Sequence, residues 1–513
     1  MDTNLVNEQE FSGLIEKRAR TLLAMVDFLA ACDAPREVLN RPFLGELLSQ
    51  AMQLEELVDT YDAGKNCRWR NLRSLTATVK LFSDASYELV HIQHRVPSYR
   101  LMPVQSDFVA ATEEALKFTG SVLAQAAREM MHEVRKLDLS VFPRQDIRDT
   151  FEERLPAGRL AHDCGARRVD TVAETVALLA TAFLNLASES EDVRAASRSR
   201  PQEYAIRLSG AISEEHLRSL EFQFHNLQSQ YDTHVSGTQA ERQDRDLPIL
   251  RGHASVVFHL LKTATLFAHY YERHVNKPSC ATAPFAGLPV KPDALLSVLM
   301  NYSITFIDLY IGRAVSLCQE MLKRYAEVGR IEVPIPKYRG FHVRPSTLIS
   351  KLVRHYGSKV QMLLGDDVYD AGSSLDLFRA NEKINAQKRR WLAREIVRLG
   401  LVPEPADPQD PVAVVRSVAL TLAERGKLLL YEQPLELPER ICGTEGTLVE
   451  RVIAETGRLL AMGKIDIGTD MTAQFVGDKR VLADIQLLAE CGYGEDNFGN
   501  NVPLPRKLAY LRR

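Results

Sequence analysis

Apolar residues recur at helical spacing through most of the first 328 positions. Leu14, Leu22, Met25 and Leu29 open the pattern, which then predicts helices over 43–61, 72–96 and 106–134. Ser106-Asp107 caps the last of these and Pro97 closes the one before it. Four such helices predict a bundle over residues 1–160. Residues 136–167 mix Pro143, Pro156 and Gly158 with charged side chains and read as a connector. The helical pattern resumes over 172–187, 214–231, 250–275 and 293–328, predicting a second bundle over 161–328.

The two helical regions share spaced matches in the same order. Leu22-Leu23-Ala24 matches Leu178-Leu179-Ala180, and Leu57 with Tyr61-Asp62 matches Leu227 with Tyr231-Asp232. Leu72-Arg73, His91 and Arg95 match Leu250-Arg251, His269 and Arg273 at one constant offset. The pattern reads either as a divergent internal duplication or as two unrelated bundles drawing on the same helical alphabet.

From residue 329 the period changes. Ile331, Val333 and Ile335 alternate as on a strand, and Leu348, Ile349, Leu352, Val353 and Tyr356 form a helical stripe. A strand over 360–364 follows, then a turn at Gly365-Asp366-Asp367 and a short strand at Val368-Tyr369. The chain thus predicts a multi-domain protein, mainly α at first and α+β over 329–513.

Composition narrows the function classes. The 513 residues are 45% apolar, enough for ordinary cores, and the net charge of −3 gives no electrostatic case for nucleic acid. The seven cysteines are scattered, with no Cys-x-x-Cys pair and no secretory leader, which points to a reducing cytoplasm. The longest apolar run, over 172–186, is broken by Glu174 and Asn185 and falls short of the ~20 residues of a membrane span. No membrane insertion is expected.

The candidate chemistry lies at Gly340-Phe341-His342-Val343-Arg344-Pro345-Ser346-Thr347, between the strand and the first helix of the α+β region. A helix N-terminus offers unpaired N–H groups and the positive end of the macrodipole. A phosphoryl group on the His342 imidazole would therefore meet amides and the Arg344 guanidinium. Neutral imidazole is a competent nucleophile, its ordinary pKa lying near ~6.5.

These residues resemble the motif of HPr, the histidine-containing phosphocarrier of the bacterial phosphoenolpyruvate:sugar phosphotransferase system, with Val343 and Ser346 where that family has alanines. The resemblance extends without gaps to Ser373, at the place of the family's regulatory serine. It implies an open-faced β-sandwich, phosphorylation of His342 on Nδ1, stabilisation by Arg344, and a phosphoryl-donor protein resembling Enzyme I with a downstream acceptor. Ser373 reads better as a plain helix N-cap. The family's order then places its fourth strand at 427–432 and its third helix at 447–462, with an insertion at about 381–425 and a tail over 464–513. Within the tail, 464–467 and 473–476 read as strands, 481–491 as a helix, and the Gly-, Asn- and Pro-rich 492–505 as a loop packing back on the domain.

Other clusters favour structural roles. His253, His259, His269 and His274 share one predicted helix, but spacings of 6, 10 and 5 put no two on one face. Glu55, Glu56, Asp59 and Asp62 have helical spacing for a carboxylate-bridged metal and read better as a solvated face. No cofactor or metal is expected. The sequence favours an HPr-like phosphocarrier or phosphorylation-dependent regulator. A scaffold with a degenerate carrier domain is the alternative, and a metal-dependent hydrolase in the helical region ranks below both.

Overall fold

The structure, a computed structural model, describes residues 5–141, 171–275, 289–403, 410–431, 434–437, 446–467 and 471–512. These are mostly helical, with a small antiparallel sheet. They divide into two units, Met1–Cys318 and Gln319–Arg513. The expected bundle boundary at 160/161 and most of the connector fall outside the described residues.

Local capping sets the helices of the first unit. Asn40 accepts from the Phe43 amide to open Arg41–Thr60, Asp107 from Ala110 to open Phe108–Lys136, and Ser213 from His216 to open Glu214–His234. Thr171 and Glu174 form a reciprocal capping box at Val172–Glu189. Pro97 does not close its helix, which runs Arg70–Tyr99 and stops where Arg100 turns left-handed at φ 52°. In the last turn a missing N–H forfeits a single hydrogen bond, so the proline is tolerated.

The two helical regions fall within one compact unit. Arg70–Tyr99 packs along Asp246–Tyr270, where His259 Nδ1 lies 2.7 Å from Glu88 Oε2 and the Thr78 and Tyr270 hydroxyls are 3.2 Å apart. Thr112 similarly meets the Tyr302 hydroxyl at 3.1 Å. Each region carries an arginine–aspartate fork, but the aspartates are not matched positions: Asp232 aligns with Asp62, which pairs with Lys65, and not with Asp59. Arg73 forks onto Asp59 with both bonds at 2.7 Å, and Arg251 forks onto Asp232 at 3.1 and 2.9 Å, each tying the start of one long helix to the end of the preceding long one.

Helices Val172–Glu189 and Pro292–Arg324 are long and apolar enough to cross a membrane by length and composition, contrary to the reading that no run suffices. Of their apolar windows, 39% and 61% are buried within the structure, and Asp308 on the second pairs with Arg194 at 2.9 Å.

The second unit holds a four-stranded antiparallel sheet of β1 (Val328–Pro334), β2 (Val360–Leu364), β3 (Asp367–Asp370) and β6 (Thr472–Asp478), in the order β1-β6-β2-β3. Register brings Ile331 opposite Phe475 and Phe475 opposite Met362. Val333, Val360, Met362, Ala473 and Phe475 are buried while Glu332 and Gln361 are exposed, so one face carries the core. Helices Val343–Tyr356 and Lys479–Glu490 supply its apolar partners, among them Ile349, Leu352, Val481 and Ile485.

The segment expected as the fourth strand lies elsewhere. Among the described residues, Leu428–Leu430 (β4) pairs only with Ile465–Ile467 (β5), forming a separate two-stranded sheet. Its core is shared with helices Pro411–Glu424 and Leu448–Ala461 through Val415, Val418, Val452 and Leu459. The place between β1 and β2 is taken by β6, and the helix after it is Lys479–Glu490 rather than 447–462. The inserted segment therefore runs to the start of β6 instead of ending near 425. Ser373 opens a 25-residue helix, Ser374–Arg398, which runs well into the stretch expected as an insertion.

Candidate functional site

The backbone leaves β1, where the Ile335 N–H donates to the Met471 carbonyl at 2.9 Å, and makes a left-handed turn at Arg339 (φ 54°) and Gly340 (φ 63°). Two contacts from the inserted segment hold this turn. The Arg339 N–H donates to Asp466 Oδ2 at 3.1 Å, and the Arg339 carbonyl accepts from Asn381 Nδ2 at 3.1 Å. Asp466 is itself buried and paired with Lys388 Nζ at 2.6 Å. Phe341 then inserts into the core, edge-on to Phe475 and Tyr493.

His342 follows as the N-cap of Val343–Tyr356, in extended conformation, and its side chain makes no capping bond. The ring is free to face outward because the Ser346 hydroxyl, which donates to the Phe341 carbonyl at 2.7 Å, ties down the first turn instead. The imidazole is 22% exposed and meets the Tyr338 ring edge-to-face at 5.4 Å. Its Nε2 lies 2.8 Å from Glu495 Oε2, and its Nδ1 has no hydrogen-bond partner among the described residues. Arg344 lies beside the same carboxylate, with Nη1 3.6 Å from Glu495 Oε1, and also bonds Asn501 Oδ1. The sequence-predicted pair His342 and Arg344 is thus joined through a residue the motif does not contain.

Glu495 sits on a tight hairpin. Glu495 bridges Asn501, the Val502 N–H donates to the Gly494 carbonyl at 3.0 Å, and Asp496 Oδ1 accepts the Phe498 and Asn500 amides at 2.8 and 2.9 Å. Bonds from the Asn500 side chain and backbone hold the Asp496 carboxyl below its usual range. Gly499, at φ 83°, passes so close to Tyr338 that a Cβ there would lie 2.6 Å from the ring. Tyr493 anchors the base of the hairpin, donating to the Pro334 carbonyl at 2.7 Å.

Ser373 is the N-cap of Ser374–Arg398, its hydroxyl accepting from the Asp376 amide at 3.2 Å. The structure records no contact between it and His342. A cavity of about 150 Å³ opens beside His342, lined also by Arg339, Asn381, Asn385 and Asp466. In the first unit, Asp59 and Glu55 are committed to Arg73 and Lys80, which fits a structural face.

The residues missed by sequence reasoning are Glu495, Asn501 and Tyr338. The available signal was an acidic pair, Glu495-Asp496, set among glycines and asparagines in a segment already read as folding back on the domain. No family model, curated protein or solved structure matches the chain.

Proposed function

We propose that the chain is an HPr-like phosphocarrier, or a regulator read through such a domain, that accepts a phosphoryl group on His342. The observation that carries this reading is an imidazole at a helix N-terminus with Nδ1 unpartnered and an arginine two residues on. The order of elements supports it as well. With the inserted segment set aside, the chain runs strand, helix, strand, strand, helix, strand, helix, the order the HPr resemblance implies.

In this reading the Nδ1 lone pair attacks the phosphorus of a phosphorylated donor resembling Enzyme I. The donor–phosphorus bond breaks and its electron pair leaves with the donor. Arg344 and the N–H groups of Val343 and Arg344 meet the phosphoryl oxygens, Pro345 having no N–H to offer. A downstream protein then takes the group. The free Cys32, Cys67, Cys318 and Cys491 suit a reducing cytoplasm, where the donor would be found.

A second reading, a scaffold without transfer, draws on the 25-residue helix after Ser373, where the family has a short one. Incubation with phosphoenolpyruvate and an Enzyme I separates the two. The carrier gains one acid-labile phosphoryl mass that His342→Ala abolishes. No gain, or a gain that survives the substitution, leaves the scaffold.

A further inference from the structure

We propose that Glu495 is a positioning residue for transfer at His342: it accepts the Nε2–H hydrogen bond, fixes that tautomer, and leaves the Nδ1 lone pair as the nucleophile. The inference rests on the carrier reading and adds to it a residue 153 positions away, from a segment outside the motif.

Three observations carry it. The carboxylate is only 6% exposed, so desolvation would be costly without partners, and the cations or donors within reach are His342 Nε2 and Arg344. Its backbone is held by the Asp496 turn and the Tyr493 anchor, which makes the contact a built position rather than a chance orientation of a loop side chain. A neutral imidazole carries one proton. When a carboxylate accepts at one ring nitrogen the proton resides there, and the other nitrogen keeps its lone pair.

As the Nδ1–P bond forms and the donor–P bond breaks, the ring becomes cationic, and the Glu495 carboxylate meets that charge through the retained Nε2 proton. On transfer to an acceptor the Nδ1–P electrons return to the ring and the neutral tautomer is restored. Arg344 already stands beside the carboxylate, and when its guanidinium also meets the phosphoryl oxygens the two negative groups share one cation.

The test uses the full-length chain labelled with ¹⁵N, with potassium phosphoramidate as a chemical phosphoryl donor that needs no partner protein. In the unphosphorylated protein at pH 8, His342 is expected to show a protonated Nε2 and an unprotonated Nδ1. Glu495→Gln, whose amide can donate as well as accept, is expected to give a mixture of tautomers. Phosphoramidate should modify wild type at Nδ1, and the variant on the order of tenfold more slowly and at both nitrogens. Amide spectra verify that the near-isosteric variant is folded. An Nδ1–H tautomer in wild type overturns the proposal without any variant, as does identical tautomer, product and rate in Glu495→Gln. If phosphoramidate modifies His342 in neither protein, the carrier reading falls, while the tautomer measurement still decides whether Glu495 sets the nitrogen.

Discussion

Lys388 and Asp466 are 4% and 3% exposed and 2.6 Å apart, and the Asp466 carboxylate also accepts the amides of Arg339 and Ile467 and the Tyr431 hydroxyl. Such a carboxylate tolerates burial because a charge and several donors surround it. Removing one partner leaves the rest of the desolvation cost uncompensated. Lys388→Met, which keeps the side-chain bulk, should lower unfolding free energy by about 3–5 kcal/mol. Lys479→Met removes only an exposed pair with Glu327 and should leave the urea midpoint unchanged. Equal midpoints for the two variants would refute the assignment. Because Asp466 holds the turn before His342, the same reasoning ties the inserted segment to the site. His342 and Arg344 were legible in the sequence because a local motif sets both. Glu495 and Asp466 were not, because their roles depend on which residues the fold brings beside them.

At the level of elements, most helices follow from spacing and caps, whereas strand pairing does not. Leu428-Leu429-Leu430 and Ala473-Gln474-Phe475-Val476 both look like strands locally, and the order of the HPr resemblance favours the nearer one for the main sheet. The choice is made by partners distant in sequence: β6 alternates so that Ala473 and Phe475 face the core next to Val333 and Met362, while β4 shares a core with the inserted helices. Helix packing adds a similar constraint at Gly252. A Cβ there would lie 1.8 Å from the Tyr99 carbonyl oxygen and 2.7 Å from its carbon, backbone atoms that cannot rotate away. Gly252→Ala should therefore destabilise the first unit by about 1–3 kcal/mol, although alanine favours a helix by ~1 kcal/mol. Gly13, inside Glu8–Arg18 with nothing within 4 Å of its Cβ position, should show the propensity gain alone. Opposite shifts in thermal midpoint are the expected signature. A gain at both positions would mean the helices do not approach this closely.

Across the whole molecule, stability should depend on pH through buried histidines in each unit. His253 accepts the Met102 N–H at Nε2 (3.1 Å) and faces the Tyr310 carbonyl with Nδ1 (3.2 Å), so a second ring proton would point at another donor. Burial pushes its pKa down to about 4, and burial does the same to His355, stacked on Tyr510 at 4.2 Å. For a histidine held below its ordinary value, the unfolded chain binds the proton first. Stability is complete above pH ~6.5 and falls as pH drops toward about 4, by up to about 3 kcal/mol for each group. Glu88 acts in the same direction only at the acid edge of that window, where the unfolded carboxyl begins to bind its proton: desolvation is outweighed by His259 and Lys262, which hold it at about 2. Asp84 and Glu221, raised by burial, act in the opposite direction, so a bare pH profile would not isolate the histidines. The two tryptophans resolve the units, since Trp69 is buried in the first and Trp391 packs on a core of the second. Urea unfolding followed by Trp69 fluorescence in a Trp391→Phe background should show the first unit losing stability between pH 7 and pH 4.5. His253→Gln, which keeps a donor and an acceptor but cannot titrate, should start less stable and lose less over the same interval. The same loss in both proteins would remove His253 as its source.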